Sequence, residues 1–203
     1  MGGVTIRRIR GIIGGGTPKT TVAEFWNESI PWFSVVDTPE EGAVFVVETE
    51  KSITEAGLMG SSARLVDVGT TIISARGTVG NLAIAAQPMT FNQSCYALRG
   101  RRGVGDYFVY LASRELENQL KSMVHGSIFS TITRATFEAV SFSRSDGQIF
   151  SEFDRIASPL FEKIKANVFE NRTLAATRDL LLPKLMSGEI LLSEAEVLME
   201  AAQ

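Results

Sequence analysis

Residues 147–186, GQIFSEFDRIASPLFEKIKANVFENRTLAATRDLLLPKLM, carry one unbroken pattern. Phe153, Ala157, Leu160, Ile164, Asn167, Asn171, Leu174, Arg178, Leu181 and Leu185 follow one another in alternating steps of four and three. That is the spacing of the a and d positions of a coiled coil. The pattern predicts a helix about 60 Å long if unbroken. Pro159 is expected to kink it or to mark where its main part begins, and Pro183 to bend or end it. The two central seam positions are Asn, where apolar residues are expected. Such residues cost stability but demand a polar partner across an interface, which disfavours wrong registers. A helix this long on a domain of about 145 residues would overhang its own core. The expectation is therefore that it projects and pairs with another long helix, rather than folding back along its own domain.

Composition sets limits on the rest. The chain has 203 residues, 44% of them apolar and 21% charged, an ordinary globular balance. No run of eighteen apolar residues is present, which argues against a membrane span. The segment Gly11–Gly16 after Arg7, Arg8 and Arg10 is too short and glycine-rich for a secretory leader, so a cytoplasmic chain is expected. A lone Cys95, in the strand-like Ser94-Cys95-Tyr96-Ala97-Leu98, reads as a small buried hydrophobe rather than a nucleophile. Residues 1–146 hold 14 basic and 14 acidic side chains, and residues 147–203 hold 6 and 9. The first part is neutral and the helix with its tail is acidic. Composition thus gives no support to nucleic-acid binding, and any such contact has to come from local basic clusters.

The first part reads as mixed α and β. Val4–Ile13 looks extended, and Gly14–Lys19 is a glycine-proline loop. Thr20 or Thr21 is placed to cap a short helix through Trp26. Strands are predicted at 30–36, 43–48, 70–75, 81–86 and 94–98. Ser52-Ile53-Thr54-Glu55 resembles a capping box opening a short helix that ends near Gly57. Asp67-Val68-Gly69 is a turn. Residues 104–121 suit a helix with Val104, Phe108, Leu111, Leu116 and Leu120 roughly on one face. A loop at 124–129, a helical turn and a strand ending near Phe142 follow. The polar connector Ser143–Gly147 is the best boundary. The predicted fold class is an α+β domain over 1–146, a long helix over 147–186 forming an antiparallel coiled coil, and an acidic tail over 187–203.

Catalytic signatures are sparse. There is one His, one Cys and no metal-ligand spacing. Gly14-Gly15-Gly16 and Gly103-Val104-Gly105 open neither a phosphate-binding loop nor a dinucleotide fingerprint. The adenine-methylating run Asn/Asp-Pro-Pro-Tyr/Phe does not occur. His125 beside Gly126 reads as a loop histidine.

The motifs, taken in order, resemble a known family. The ending Asn167-x-x-x-Asn171-x-x-Leu174-x-x-x-Arg178-Asp179-x-Leu181-Leu182-Pro183-Lys184-Leu185-x-Ser187-Gly188-Glu189 is similar to the helical spacer of the specificity subunit of type I restriction-modification systems. The front resembles that family's target recognition domain. Gly15-Gly16-Thr17-Pro18, Glu24-Phe25-Trp26 and Ile30-Pro31-Trp32 with Asp37 form its first signature. Ile53-Thr54, Gly57-Leu58 and Ser61-Ser62-Ala63 form its second, followed by Arg76–Gly80, Asn92-Gln93, Gly126-Ser127 and the 132–142 stretch. Usual members have two recognition domains and two spacers, whereas this chain has one of each and resembles half a subunit.

The resemblance implies a non-catalytic reader of double-stranded DNA that holds an adenine methyltransferase (modification) subunit and, through it, a restriction subunit. No cofactor of its own is implied; S-adenosylmethionine, ATP and Mg would belong to the partners. One recognition domain reads one half-site, so a homodimer reading an inverted repeat is expected. Its partner helix would use Phe153, Leu160, Ile164, Asn167, Asn171, Leu174, Arg178, Leu181 and Leu185. Candidate DNA contacts are the cations and hydroxyls on loops: Lys19, Thr20, Arg64, Arg76, Arg99, Arg101, Arg102, Ser127 and Ser130. Trp26 and Trp32 are expected to pack the core. Asn92 and Gln93 could satisfy backbone groups or reach DNA. The alternatives to this function are a stand-alone DNA-binding regulatory module and a silent specificity cassette.

Overall fold

A computed structural model describes residues 3–5, 10–40, 42–76, 78–100, 103–123, 132–133, 141–143 and 147–190. The chain divides into two compact units, residues 1–159 and 160–203. The first holds a mixed α/β domain, and a long helix follows it in the chain, in agreement with the fold class read from the sequence.

Five strands form the main sheet in the order β2 (Arg10–Gly14), β9 (Cys95–Arg99), β6 (Thr71–Ser74), β7 (Leu82–Ala85), β4 (Phe45–Val46). All neighbours are antiparallel except β7 and β4. β6 and β7 are buried along their whole length. That explains their near-continuous apolar sequence, since a strand covered on both faces has no solvent side to alternate with. On one face Phe33, Val46, Val66, Ile72, Ala83, Ala85, Met89, Phe91, Cys95 and Ala97 form the core. The other face is met by α2 (Asp106–Met123), which contacts β6, β7 and β9 and buries Val109 and Leu116.

A smaller sheet, in the order β5 (Ser52–Ile53), β3 (Trp26–Phe33), β8 (Thr90–Phe91), stands beside it. Successive strand residues point to opposite faces. Trp32 therefore enters a second cluster with Ile53 and Ala63, while Phe33 enters the main core. β3 thus ties the two cores together. The remaining strands, β1 (Gly3–Thr5) and β10 (Ser141–Ser143), pair antiparallel with each other.

Several local expectations are corrected by packing. The helix expected to be capped by Thr20 or Thr21 is a single 3₁₀ turn, Ala23–Phe25, with Val22 at its N-cap and no side-chain cap bond. Trp26 already belongs to β3. That strand ends at Phe33, and Val35–Asp37 forms another 3₁₀ turn because Asp37 accepts from the Ser34 backbone and hydroxyl. Ser52 and Ile53 are strand, not cap. Thr54 caps α1 (Glu55–Met59) by accepting from Gly57 N at 2.9 Å, and it donates to the Glu24 carbonyl at 2.9 Å. The strand expected over 43–48 is only Phe45–Val46. β8 was not expected; it is two residues long and exists through its parallel pairing to β3.

The long helix α3 runs from Gly147 to Met186 as one element, through both Pro159 and Pro183. Its end carries the physics of the Ser-Gly-Glu motif. Gly188 takes φ +73°, Gly188 N bonds the Leu185 carbonyl at 3.2 Å, and Glu189 N bonds the Lys184 carbonyl at 2.9 Å. This is a Schellman closure, which needs a residue that accepts the left-handed conformation. The loop at 124–129, the helical turn after it and the tail from 191 lie outside the described residues.

The two cores meet at the loop Gly15–Pro18. Gly15 N bonds the Cys95 carbonyl at 3.3 Å and Gly16 N the Phe91 carbonyl at 2.9 Å. The buried Trp32 Nε1 donates to the Gly16 carbonyl at 2.9 Å. A Cβ on Gly15 would overlap the Asn92 carbonyl, and one on Gly16 would overlap the backbone of Ser62 and Ala63. These are backbone neighbours that cannot rotate aside. Gly16→Ala is therefore expected to destabilise the domain by about 1–3 kcal/mol, the usual cost of forcing an extra carbon into a packed site. Urea unfolding with an unchanged m-value checks this.

Candidate nucleic-acid interface

Lys19 and Thr20 are exposed and follow the pinned Gly15–Pro18 loop. The backbone carbonyl of Lys19 accepts from Trp26 Nε1 at 3.2 Å, which fixes the loop against β3. Trp26 in turn meets Trp32 edge-on, with centroids 5.2 Å apart. Thr20, Ala23, Trp26, Asn27 and Lys51 line an open cleft of about 350 Å³. It has an aromatic wall, an amide and one lysine, Lys51. An aromatic face beside a lysine and an amide is a composition a nucleotide contact uses. Lys51 and Asn27 were missed in the sequence reading. Only the pairing of β3 with β5 brings Lys51 to this edge, and no local signal marks it.

Arg64 is exposed one residue beyond the buried Ala63, the residue on which Gly16 packs. The close approach of Gly16 thus carries Lys19 and Arg64, 45 positions apart in sequence, to within a few residues of one contact. Arg76 is exposed at the start of the turn between β6 and β7. Ser74 pins that turn: its hydroxyl donates to the Thr78 carbonyl and accepts from Asn81 N at 2.9 Å. Arg101, Arg102, Ser127 and Ser130 lie outside the described residues.

Arg99 is differently placed. Its guanidinium meets Asp67 at 2.5 Å and Asp106 at 2.8 Å, and Asp106 also accepts from Gly100 N at 2.9 Å. The bond to Asp106, despite some burial, raises the Arg99 pKa further, with the charges of both carboxylates adding to the rise. Its charge is matched twice, and it ties the end of β9 to the start of α2. Asn92 and Gln93 also have internal partners. Asn92 Oδ1 accepts from Ser94 N at 3.0 Å, and Gln93 Oε1 accepts from the Thr17 hydroxyl. Both thereby hold the loop on which Gly15 and Gly16 pack. Cys95 is 1% exposed, and burial, with the charge of Asp37, pushes its thiol up to about 12, so it carries no nucleophilic chemistry at neutral pH. Among the described residues no group of three or more His, Cys, Asp and Glu side chains could hold a metal ion. No helix among them is long and apolar enough to cross a membrane.

Along α3 the seam residues have unequal surroundings. Phe153 packs edge-on against Phe108 of α2 at 5.5 Å, beside Phe150 at 4.9 Å, within the first unit. Leu181 is buried and Leu185 half-buried, whereas Leu160, Ile164 and Leu174 are 62%, 42% and 54% exposed. Asn167, Asn171 and Arg178 are exposed between them. An apolar strip of this kind is what a helix keeps for a partner.

These features define a mixed α/β domain with exposed basic loops, followed by a long helix with exposed apolar side chains. The family described as the type I restriction modification DNA specificity domain matches residues 2–144, and the chain belongs to that family. It is 28% identical over 181 residues to the type I restriction enzyme MjaIX specificity subunit of Methanocaldococcus jannaschii, covering 82% of this chain and 42% of that protein. It is 26% identical over 182 residues to the HindI specificity subunit of Haemophilus influenzae, covering 88% and 39%. The chain thus spans about two fifths of the length of these relatives. Two solved structures share the fold. The HsdS subunit of Thermoanaerobacter tengcongensis matches with a TM-score of 0.52 and 18% identity, over 98% of this chain and 42% of that one. The type I S subunit of M. genitalium matches with a TM-score of 0.64 and 17% identity, over 91% and 45%.

Two outcomes follow from the electrostatics. Arg99→Ala is expected to lower stability by about 1–2 kcal/mol, since it strips a charged hydrogen bond from the half-buried Asp106 while the exposed Asp67 adds little; thermal denaturation reads this. Asp154 of α3 packs on Gly105, and among the described residues its buried Oδ1 has no hydrogen-bond partner. Burial raises its pKa, the Gly105 backbone bond opposes the rise, and the Asp106 charge adds to it. The folded-state value therefore lies above the unfolded one. The charged form penalises the fold at pH 7, and the penalty fades as the pH falls through the folded-state pKa. Asp154→Asn is expected to melt above the wild type at pH 7. The difference should close below about pH 3.9, the ordinary aspartate value.

Proposed function

We propose that this chain is the DNA sequence-specificity component of a cytoplasmic type I restriction-modification complex. The observation that carries this reading is the specificity-domain match over residues 2–144, followed directly by the long helix with its Leu-Leu-Pro-Lys-Leu ending. In this reading the domain does no chemistry. It reads a half-site in double-stranded DNA and holds an adenine methyltransferase subunit, which supplies S-adenosylmethionine chemistry, and a restriction subunit joins through that assembly. Lys19, Thr20, Arg64 and Arg76 contact DNA, together with Arg101, Arg102, Ser127 and Ser130. Arg99 serves by holding β9 to α2. The overall charge of −3 supports weak DNA binding by the chain alone, with affinity completed by the methyltransferase.

The helix supplies the second half of the mechanism. Two copies related by a twofold axis pair their α3 seams antiparallel, so that two recognition domains read an inverted repeat. The helix length then sets the gap between half-sites. Asn167 and Asn171, four apart on one face, pair across the crossing and select the register. Phe169, exposed and about half a helical turn from the seam, offers a separate contact to the methyltransferase.

The chain co-expressed with its adenine methyltransferase is expected to produce methylation at a two-part palindromic motif, read by methylome sequencing. Strong sequence-specific binding by the isolated chain, or no methylation with the partner, contradicts the reading. Sedimentation of the full chain should show a dimer that Leu160→Glu with Leu174→Glu converts to a monomer. Asn167→Leu with Asn171→Leu is expected to tighten pairing while broadening stoichiometry; a monomer in every case at high concentration sinks the dimer.

A further inference from the structure

Strand β3 carries a bulge beside the cleft. Trp26 and Ile30 both face Ile53 of β5, so Asn27, Glu28 and Ser29 between them are looped out of the ladder. Asn27 turns the chain there with φ +69°, the one non-glycine positive φ among the described residues. Asparagine is among the few L residues that enter this region with modest strain, and bulges of this kind re-aim side chains. All three side chains are exposed. Among the described residues, none of the three takes a hydrogen bond within the protein. The bulge falls between Glu24-Phe25-Trp26 and Ile30-Pro31-Trp32, outside both motif blocks.

Its surroundings offer a held aromatic ring and a lysine. Trp26, the last residue before the bulge, is held edge-on by Trp32 and by its bond to the Lys19 carbonyl. Lys51 and Thr20 share the cleft with Asn27. Lysine serves phosphate as a point charge. Asn presents an adjacent donor and acceptor that match adenine N6 and N7 in the major groove, Glu accepts from the cytosine amino group, and Ser suits either. Glu28 would repel a phosphate, so a pure backbone contact does not explain this trio; a base-edge contact does.

We propose that the Asn27–Ser29 bulge is a base-reading element of this domain, with Lys19 and Lys51 holding the flanking phosphates. This rests on the DNA-recognition reading above and names the residues that set its specificity.

The test uses the full chain assembled with its adenine methyltransferase, with methylated sites read by sequencing. Asn27→Gly removes the amide and keeps the left-handed backbone, which glycine adopts freely. Glu28→Ala removes the carboxylate. Each variant is expected to methylate a motif that has lost discrimination at one position, an adenine for the first and a cytosine for the second. Lys51→Ala is expected to weaken binding across all sequences and to reduce the slope of log affinity against log salt by about one. Independently of folding in any of these variants, a photo-crosslinker at Ser29 in the otherwise unchanged complex should attach to a base inside the motif. An unchanged motif in both Asn27→Gly and Glu28→Ala overturns the proposal. So does a uniform fall in methylation with the motif intact, or a crosslink only to protein or to DNA outside the motif, either of which makes the bulge a docking contact. A wild-type complex that methylates no site removes the recognition reading itself; a wild type that methylates while both variants keep its motif removes the bulge alone.

Discussion

The close approach of Gly16 to the backbone of Ser62 and Ala63, sealed by the Trp32 indole on the Gly16 carbonyl, is the constraint on which the domain depends. It joins three segments that share no local interaction. Through Phe91 it anchors the loop to β8, and through Trp32 to β3, whose next residue, Phe33, enters the main core. A side chain at residue 16 would separate these parts at once. The surface consequence is direct: Lys19 and Arg64 come to one region because the glycines beneath them let two backbones touch.

This contact also gives the shared motifs their physical meaning. The Gly-Gly-Thr-Pro loop, the Trp of Ile-Pro-Trp, the Ser-Ser-Ala segment and the Asn-Gln pair converge there, and Thr17, Trp32, Ser61, Asn92 and Gln93 each make a hydrogen bond inside the protein. Those bonds hold the scaffold. Among the described residues, the β3 bulge presents exposed polar side chains without internal partners in the space between two of these motifs. A recognition domain that must change its target while keeping its fold gains from such a division, because a substitution on the bulge leaves the anchoring contact intact.

The local sequence showed much of this, unevenly. The strands β6, β7 and β9 and the helices α2 and α3 were legible because each has enough residues for its period to show. The burial of Cys95 was legible from its apolar run. Short elements were not. β8 has two residues and no pattern of its own, and β4 is shorter than its apolar run implied. The cap of α1 shifted from Ser52 to Thr54 because pairing with β3 claimed Ser52 and Ile53 first. Arg99 carried the right charge for a phosphate contact, but nothing adjacent in sequence disclosed that Asp67 lies against it.

By itself, then, the sequence determined the long seam helix, the mixed α/β class and the family, because periodicity and ordered motifs are properties of neighbouring residues. Tertiary structure alone decided which polar groups are spent on the scaffold and which stay free. That depends on partners tens of residues away: Asp67 for Arg99, Thr17 for Gln93, Gly16 for Trp32. It also decided that Asn27, within β3, stands outside the pairing ladder. A bulge is a mismatch between two strands, and neither strand's sequence contains it.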